Sequence, residues 1–434
     1  MPKKSNSLEI KILRTHILLM PFVSAFSISP WLPLSLVLMA LATVFALLTA
    51  RLKFTKEDIG IFLVIMLGII AMIFSTDYLG AKNLSHIAAI LTSVVFFFVT
   101  VKSLLRKIKS LEVFGGAFAI SLAIVSAFVA IEFIGSNFFG IKFIDVIPYG
   151  RVDLTDASVA GQFIRPRGFA EEAGHMAVFY ELALPLSFLY FKGKSFIIQA
   201  SYYLPVLITF VLLFSSAAFV ALSIALIIVA LSNIRSKSSL AIITIVSLLV
   251  VIALSSDVSR FYLDQTIGAR LEIFSNPSEQ SNFSAFDRAS RFQDAFSLFV
   301  SAPFGIGWGT VSQIAADSQI FAGVRVSDAG LISLYAEVLV ASGLLGLVLF
   351  LKFLITRIIS LSKIRNLESR LVLTAVLSLS IHYTFISNYW FPMIWFALAA
   401  SDTIIRESKC RVVKADNSRA SDCVSITNQK QAEI

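Results

Sequence analysis

Residues 165–181 read RPRGFAEEAGHMAVFYE and gather two guanidinium groups (Arg165, Arg167), two adjacent carboxylates (Glu171, Glu172) and one imidazole (His175). If a helix begins near Glu171, then Glu171 and Glu172 lie four and three residues before His175, spacings that share a helical face. A carboxylate beside an imidazole suits proton transfer, and the planar fork of arginine suits phosphate oxygens. The plainer alternative is that the acids cap a helix N-terminus. A second segment, 287–302, reads DRASRFQDAFSLFVSA and sets Ala289, Phe292, Ala295, Phe296 and Phe299 on one helical face, with Arg288 and Arg291 opposite. The plainer reading there is an interfacial helix whose arginines pair with Asp287 and Asp294 and reach toward lipid phosphate. Pro303 ends the pattern, and Gly305, Gly307 and Gly309 around Trp308 predict a tight turn. Asp328 stands just ahead of an apolar run, where a helix N-cap also belongs. Glu132, Glu181 and Glu337 fall inside apolar runs, where an ionisable group is costly and points into a cavity or at a partner.

The elements that position these groups follow from composition. Of 434 residues, 57% are hydrophobic and 15% charged, and the mean hydropathy is +0.85. Soluble domains average about 45–50% apolar and about 25% charged, so a water-soluble fold is excluded. Apolar runs long enough to cross about 30 Å of hydrocarbon recur along the chain. They predict spans at about 17–28, 32–50, 59–75, 84–101, 113–134, 173–191, 196–213, 216–232, 239–255, 331–352, 371–386 and 389–405. The expected fold is an all-α polytopic membrane protein of about twelve transmembrane helices, one membrane domain over 1–405. Two long outer loops, about 135–172 and 256–330, carry Arg165, Arg167, Glu171, Glu172, Arg288, Arg291 and Asp328, and His175 follows the first of them. The polar stretch 406–434 reads as a disordered cytoplasmic tail.

Charge fixes the expected orientation. Alternate connections collect most of the basic residues, among them Lys3, Lys4, Lys11 and Arg14; Arg51, Lys53 and Lys56; Lys102, Arg106, Lys107 and Lys109; Lys363, Arg365 and Arg370. The positive-inside bias then places both termini in the cytoplasm. The net charge of +9 is thereby spread over short loops, which excludes a nucleic-acid partner. Cys410 and Cys423, the only cysteines, fall in the tail, where a reducing compartment makes a disulfide unexpected. No nucleotide-binding or zinc-ligand spacing and no internal repeat is present, and neither metal nor cofactor is expected.

The ordered series Arg165, Gly168, Phe169, Glu172; Arg288 and Phe292; PFGIGWG at 303–309; DAGLIS at 328–333; and GLLG at 343–346 resembles the O-antigen polymerase and O-antigen ligase superfamily over about 160–350. The resemblance implies a metal-independent, lipid-linked glycosyltransferase architecture acting on undecaprenyl-diphosphate-linked sugars. It implies that Arg165 and Arg288 hold the diphosphate; Arg167 and Arg291 join the candidate set through their charge alone. Glu172, His175 and Asp328 are the candidate bases for a sugar hydroxyl. Ligases of the superfamily carry a His-Asn pair where this chain has Asp328 and Ala329, and many members show Ser-Arg-Gly where it has Ser216, Ala217 and Ala218. An Arg-x-x-Gly segment followed by a glutamate, here Glu172, is more usual in polymerases. The expectation is therefore a polymerase of oligosaccharide repeat units in the bacterial inner membrane. Its expected partners are the undecaprenyl-diphosphate-linked oligosaccharide, membrane lipid and a chain-length regulator. Ligation of polymer to lipid A core is the alternative, and a lipid-linked oligosaccharide flippase or an assembly scaffold are the alternatives of other classes.

Overall fold

A computed structural model describes residues 7–26, 33–49, 51–75, 79–108, 110–148, 159–160, 163–232, 283–317, 320–321, 324–325, 331 and 333–415. Among these, 57, 159–160, 283–290, 316, 320–321, 324–325 and 411–415 are described by their backbone alone.

Apolar runs without interior proline give most of the helices. In chain order these are α1 Leu8–Leu19, α2 Leu34–Leu48, α3 Ile59–Phe74 and α4 Ala81–Leu105. They continue with α5 Glu112–Phe138, the short α6 Phe143–Val146, α7 Ala173–Phe191, α8 Phe196–Leu212 and α9 Ser216–Leu231. Within the second long loop lie α10 Phe283–Ser301 and α11 Thr310–Ala316, and after it come α12 Leu334–Ser362, α13 Leu367–His382 and α14 Pro392–Ala415. Within α4, Ser93–Thr100 winds as a π-helix. There the Thr100 hydroxyl donates to the Val95 carbonyl at 3.0 Å and meets Thr43 of α2 at 2.8 Å. Two two-residue antiparallel pairs, β1 Val159–Ala160 with β2 Phe163–Ile164 and β3 Ile320–Phe321 with β4 Val324–Arg325, lie in the long loops.

Three of these helices, α4, α5 and α12, are long and apolar enough to cross a membrane, and α2, α3, α8 and α9 are shorter apolar helices. Exposed Leu41, Ile120, Ile131, Ile197, Leu204, Leu344 and Val348 form the kind of apolar outer surface that lipid, not water, would cover. At the centre, α7 packs against both α5 and α13, α12 lies on α3, and α9 lies on α13. Because α7 is buried nearly all round, the polar groups it carries face other helices.

The bounds read from apolarity match the helix bounds of α3, α7, α8 and α9 to within one residue. The first span does not: the helix runs over Leu8–Leu19 and not 17–28. It starts early because Glu9 is compensated by Arg51 at 2.5 Å and Lys107 at 3.2 Å, and Pro21 follows its end. Twelve residues rise about 18 Å, too short to cross the hydrocarbon alone. α14 continues to Ala415, so 406–415, expected within a disordered tail, is helical; residues 416–434 lie outside the described residues. The span at 239–255 lies outside the described residues.

Candidate active site at the loop end of the bundle

The segment leading into α7 is pinned at four points. The Arg165 side chain donates through Nε and Nη2 to the Leu213 carbonyl at 3.3 and 3.2 Å, satisfying an acceptor at the C-terminus of α8. The backbone N–H groups of Arg167 and Gly168 donate to Glu132 Oε2 in α5 at 3.0 and 2.7 Å. Gly168 sits at φ +63°, a left-handed turn that favours glycine and lets two successive N–H groups converge on one oxygen. Phe169 stacks between Phe22 and Phe128, with ring centroids 4.4 Å from each, and its carbonyl accepts from the Ser24 and Ala25 amides. The buried carboxylate of Glu132 thus acts as an anchor for the arginine-bearing loop.

The helix starts at Ala173, two residues later than Glu171. Glu172 is the N-cap of α7, with φ −136°, and its carbonyl accepts from the His175 and Met176 amides. Its carboxylate is exposed, whereas His175 is buried. Glu171 and Glu172 precede the helix, so the expected shared face with His175 is not formed. Instead His175 Nε2 lies 3.1 Å from Asn388 Nδ2, and Phe391 packs edge-on against the imidazole at 5.0 Å.

The two acids deeper in the bundle have histidine neighbours. Glu181 Oε2 of α7 lies 3.0 Å from His382 Nδ1 at the end of α13. Glu337, in the first turn of α12, lies 3.8 Å from His86 Nδ1 of α4, and the Tyr389 hydroxyl approaches the same nitrogen at 2.6 Å. Three of the chain's four histidines therefore gather at this end. His86, His382, Asn388 and Tyr389 were not singled out from the sequence. The local signal for Asn388 and Tyr389 is the polar and aromatic run Asn388-Tyr389-Trp390-Phe391 between two apolar runs, and none marks His86 or His382.

The glycine run joins the second long loop to the bundle. Gly343 at φ +69° breaks α12, freeing carbonyls that a continuous helix would use. The Val340 and Ala341 carbonyls then accept from the Ile306 and Gly307 amides at 2.9 and 3.0 Å, and the Leu344 amide donates to the Pro303 carbonyl at 3.3 Å. The approach requires glycine on both sides. A Cβ on Gly305 would meet the Ala341 carbonyl oxygen at 2.6 Å, and one on Gly343 would meet the Pro303 carbonyl oxygen at 2.6 Å. Trp308 is buried, with its indole N–H donating to the Ile65 carbonyl at 3.2 Å, while Asn83 donates to the Trp308 carbonyl at 3.1 Å and to the Thr310 hydroxyl at 2.8 Å. This junction fixes the C-terminal end of α10, the helix that carries Arg288 and Arg291.

Of the candidate residues, Arg165, Arg167, Glu172 and His175 stand together at the entrance to α7, and Arg291 stands on α10. Burial raises the Asp294 pKa and the Arg291 charge opposes that shift. The Arg288 side chain and all of Asp328 lie outside the described residues.

Residues 202–351 match the family model described as O-Antigen ligase. No curated protein matches the chain. The matched stretch begins within α8 and runs through α9, α10, the glycine junction and α11 to residue 351 of α12, the region that carried most of the sequence resemblance. Together with the apolar helices it indicates a membrane protein of glycosyl transfer in polysaccharide biosynthesis. Over residues 202–351 the chain is similar to the O-antigen ligase family, the match that the sequence resemblance to the O-antigen polymerase and ligase superfamily leads one to expect.

Proposed function

We propose that the chain is a polymerase of undecaprenyl-diphosphate-linked oligosaccharide repeat units, working at the periplasmic face of the bacterial inner membrane. The observation that carries this reading is the family match over the junction that seats α10, set beside an arginine and acid cluster at the same end of the bundle. In the reaction a hydroxyl of one lipid-linked glycan attacks the anomeric carbon of another. The new glycosidic bond forms as the bond to the carrier diphosphate breaks, and the electron pair leaves with the diphosphate. The hydroxyl proton passes to Glu172, His175 or Asp328. Arg165 and Arg288, with Arg167 and Arg291 adding to the field, oppose the charge that grows on the departing diphosphate. Fixed guanidinium groups in a partly dehydrated cleft favour that developing charge over the ground state. A chain-length regulator is a partner in this reading.

The description of the matched family favours a second reading, ligation of finished polymer to lipid A core. The glycolipid profile of cells lacking the protein separates the two. Single repeats accumulating on the carrier support the polymerase, long chains retained on the carrier support the ligase, and repeats trapped on the cytoplasmic side would sink both in favour of a flippase.

A further inference from the structure

The turn between α13 and α14 presents a group that the proposed chemistry leaves unused. Trp390 is 36% exposed within an arc of rings. Its centroid lies 5.2 Å from Tyr389, 6.1 Å from Phe391 and 6.5 Å from His86, the last nearly perpendicular. The arc is held from behind. The Trp395 indole N–H donates to the Tyr389 carbonyl at 2.5 Å, Trp308 packs on the Tyr389 ring at 5.7 Å, and the Leu334 amide donates to the Tyr383 and Ile386 carbonyls. His86 keeps 20% of its side chain exposed while its Nδ1 is engaged by the Tyr389 hydroxyl. Nε2 is then the nitrogen left for a ligand hydroxyl.

A half-exposed indole with a fixed polar group at its edge complements a pyranose, which offers one apolar C–H face and a rim of hydroxyls. We infer that Trp390, with His86 at its edge, forms a carbohydrate subsite that holds one sugar ring of the glycan beside the 388–391 turn. The subsite rests on the glycosyl-transfer reading given above, and it places part of the glycan across the turn that also positions His175 through Asn388.

The test uses the full chain in lipid nanodiscs, titrated with oligosaccharide released by mild acid from the host's own surface polysaccharide and followed by saturation-transfer NMR. Trp390→Phe keeps a ring and should bind within about threefold of wild type, whereas Trp390→Leu keeps apolar bulk without a ring and should bind roughly two- to tenfold more weakly than the Phe variant. His86→Gln should weaken binding in the Trp390→Phe background as well. Equal binding by the Phe and Leu variants at equal thermal stability overturns the subsite and leaves Trp390 as an anchor in the interfacial aromatic belt. No binding by the wild-type chain overturns it too. A host whose surface polysaccharide is unchanged when the protein is deleted overturns the glycosyl-transfer reading itself, while chain-dependent polysaccharide with ring-independent binding overturns only the subsite.

Discussion

The two ends of the bundle both bury charge, but they neutralise it differently. At the end opposite the long loops, Lys102 of α4 pairs with Asp58 at the start of α3 and lies 3.9 Å from Asp402 of α14. Arg357 of α12 makes a two-point contact with the same Asp402, both distances 2.9 Å, and its guanidinium lies 3.6 Å over the Phe353 ring. Two cations and two carboxylates from separate elements close on one another. At the loop end the carboxylates of Glu181 and Glu337 instead face the imidazoles of His382 and His86, His86 also meets a phenol, and a third imidazole, His175, meets an amide. Pairs of permanent charges cost much to separate, which suits a clamp. Imidazole, phenol and amide partners exchange protons or hydrogen bonds at lower cost, which suits a site that must meet substrate.

That contrast is broken most sharply at the clamp. Lys102→Ala leaves Asp58 and Asp402 short of a cation and should lower stability by about 3–5 kcal/mol, read by thermal unfolding in nanodiscs, with glycan synthesis per folded molecule unchanged. Unchanged stability would mean that the inner cluster clamps nothing. Next in size, Gly343→Ala forces a methyl group against the Pro303 carbonyl at a positive φ. It should cost about 1–3 kcal/mol and lower glycan synthesis beyond the loss of folded protein, because α10 loses its seat. A Gly343→Ala protein with full synthesis would detach the junction from the arginines. Smallest is Asn388→Ala, which removes the contact to His175. It should cost about 0.5–1.5 kcal/mol in stability, and equal loss of stability and of synthesis would make the Asn388–His175 contact structural only.

The helices were legible because runs of apolar residues report burial directly, as the bounds of α7 show. The sequence also marked Glu132, Glu181 and Glu337 as acids that need partners. It did not reveal who the partners are, since His382 is 201 residues from Glu181 and Tyr389 is 303 from His86, separations that local spacing does not encode. The α7 entrance was misjudged by two residues for a related reason. Glu171 and Glu172 are equally good first-turn acids, and the extended backbone at Glu172 follows from the loop's anchorage to Glu132 and not from local preference. Likewise, α1 begins among charged residues because Arg51 and Lys107 reach it from elsewhere in the chain.

The central claim, that the loop end performs glycosyl transfer on a diphosphate-linked substrate, is tested most directly by chain growth per inserted molecule for Arg165→Ala, Arg288→Ala and Glu172→Gln. Glycan ladders would be compared at matched membrane protein levels. Each arginine replacement removes a charge-assisted contact worth about 1.5–3 kcal/mol and should slow chain growth about ten- to a hundredfold, with poor rescue by lysine. Glu172→Gln should stop growth while the protein stays folded. Normal ladders from all three would contradict the account.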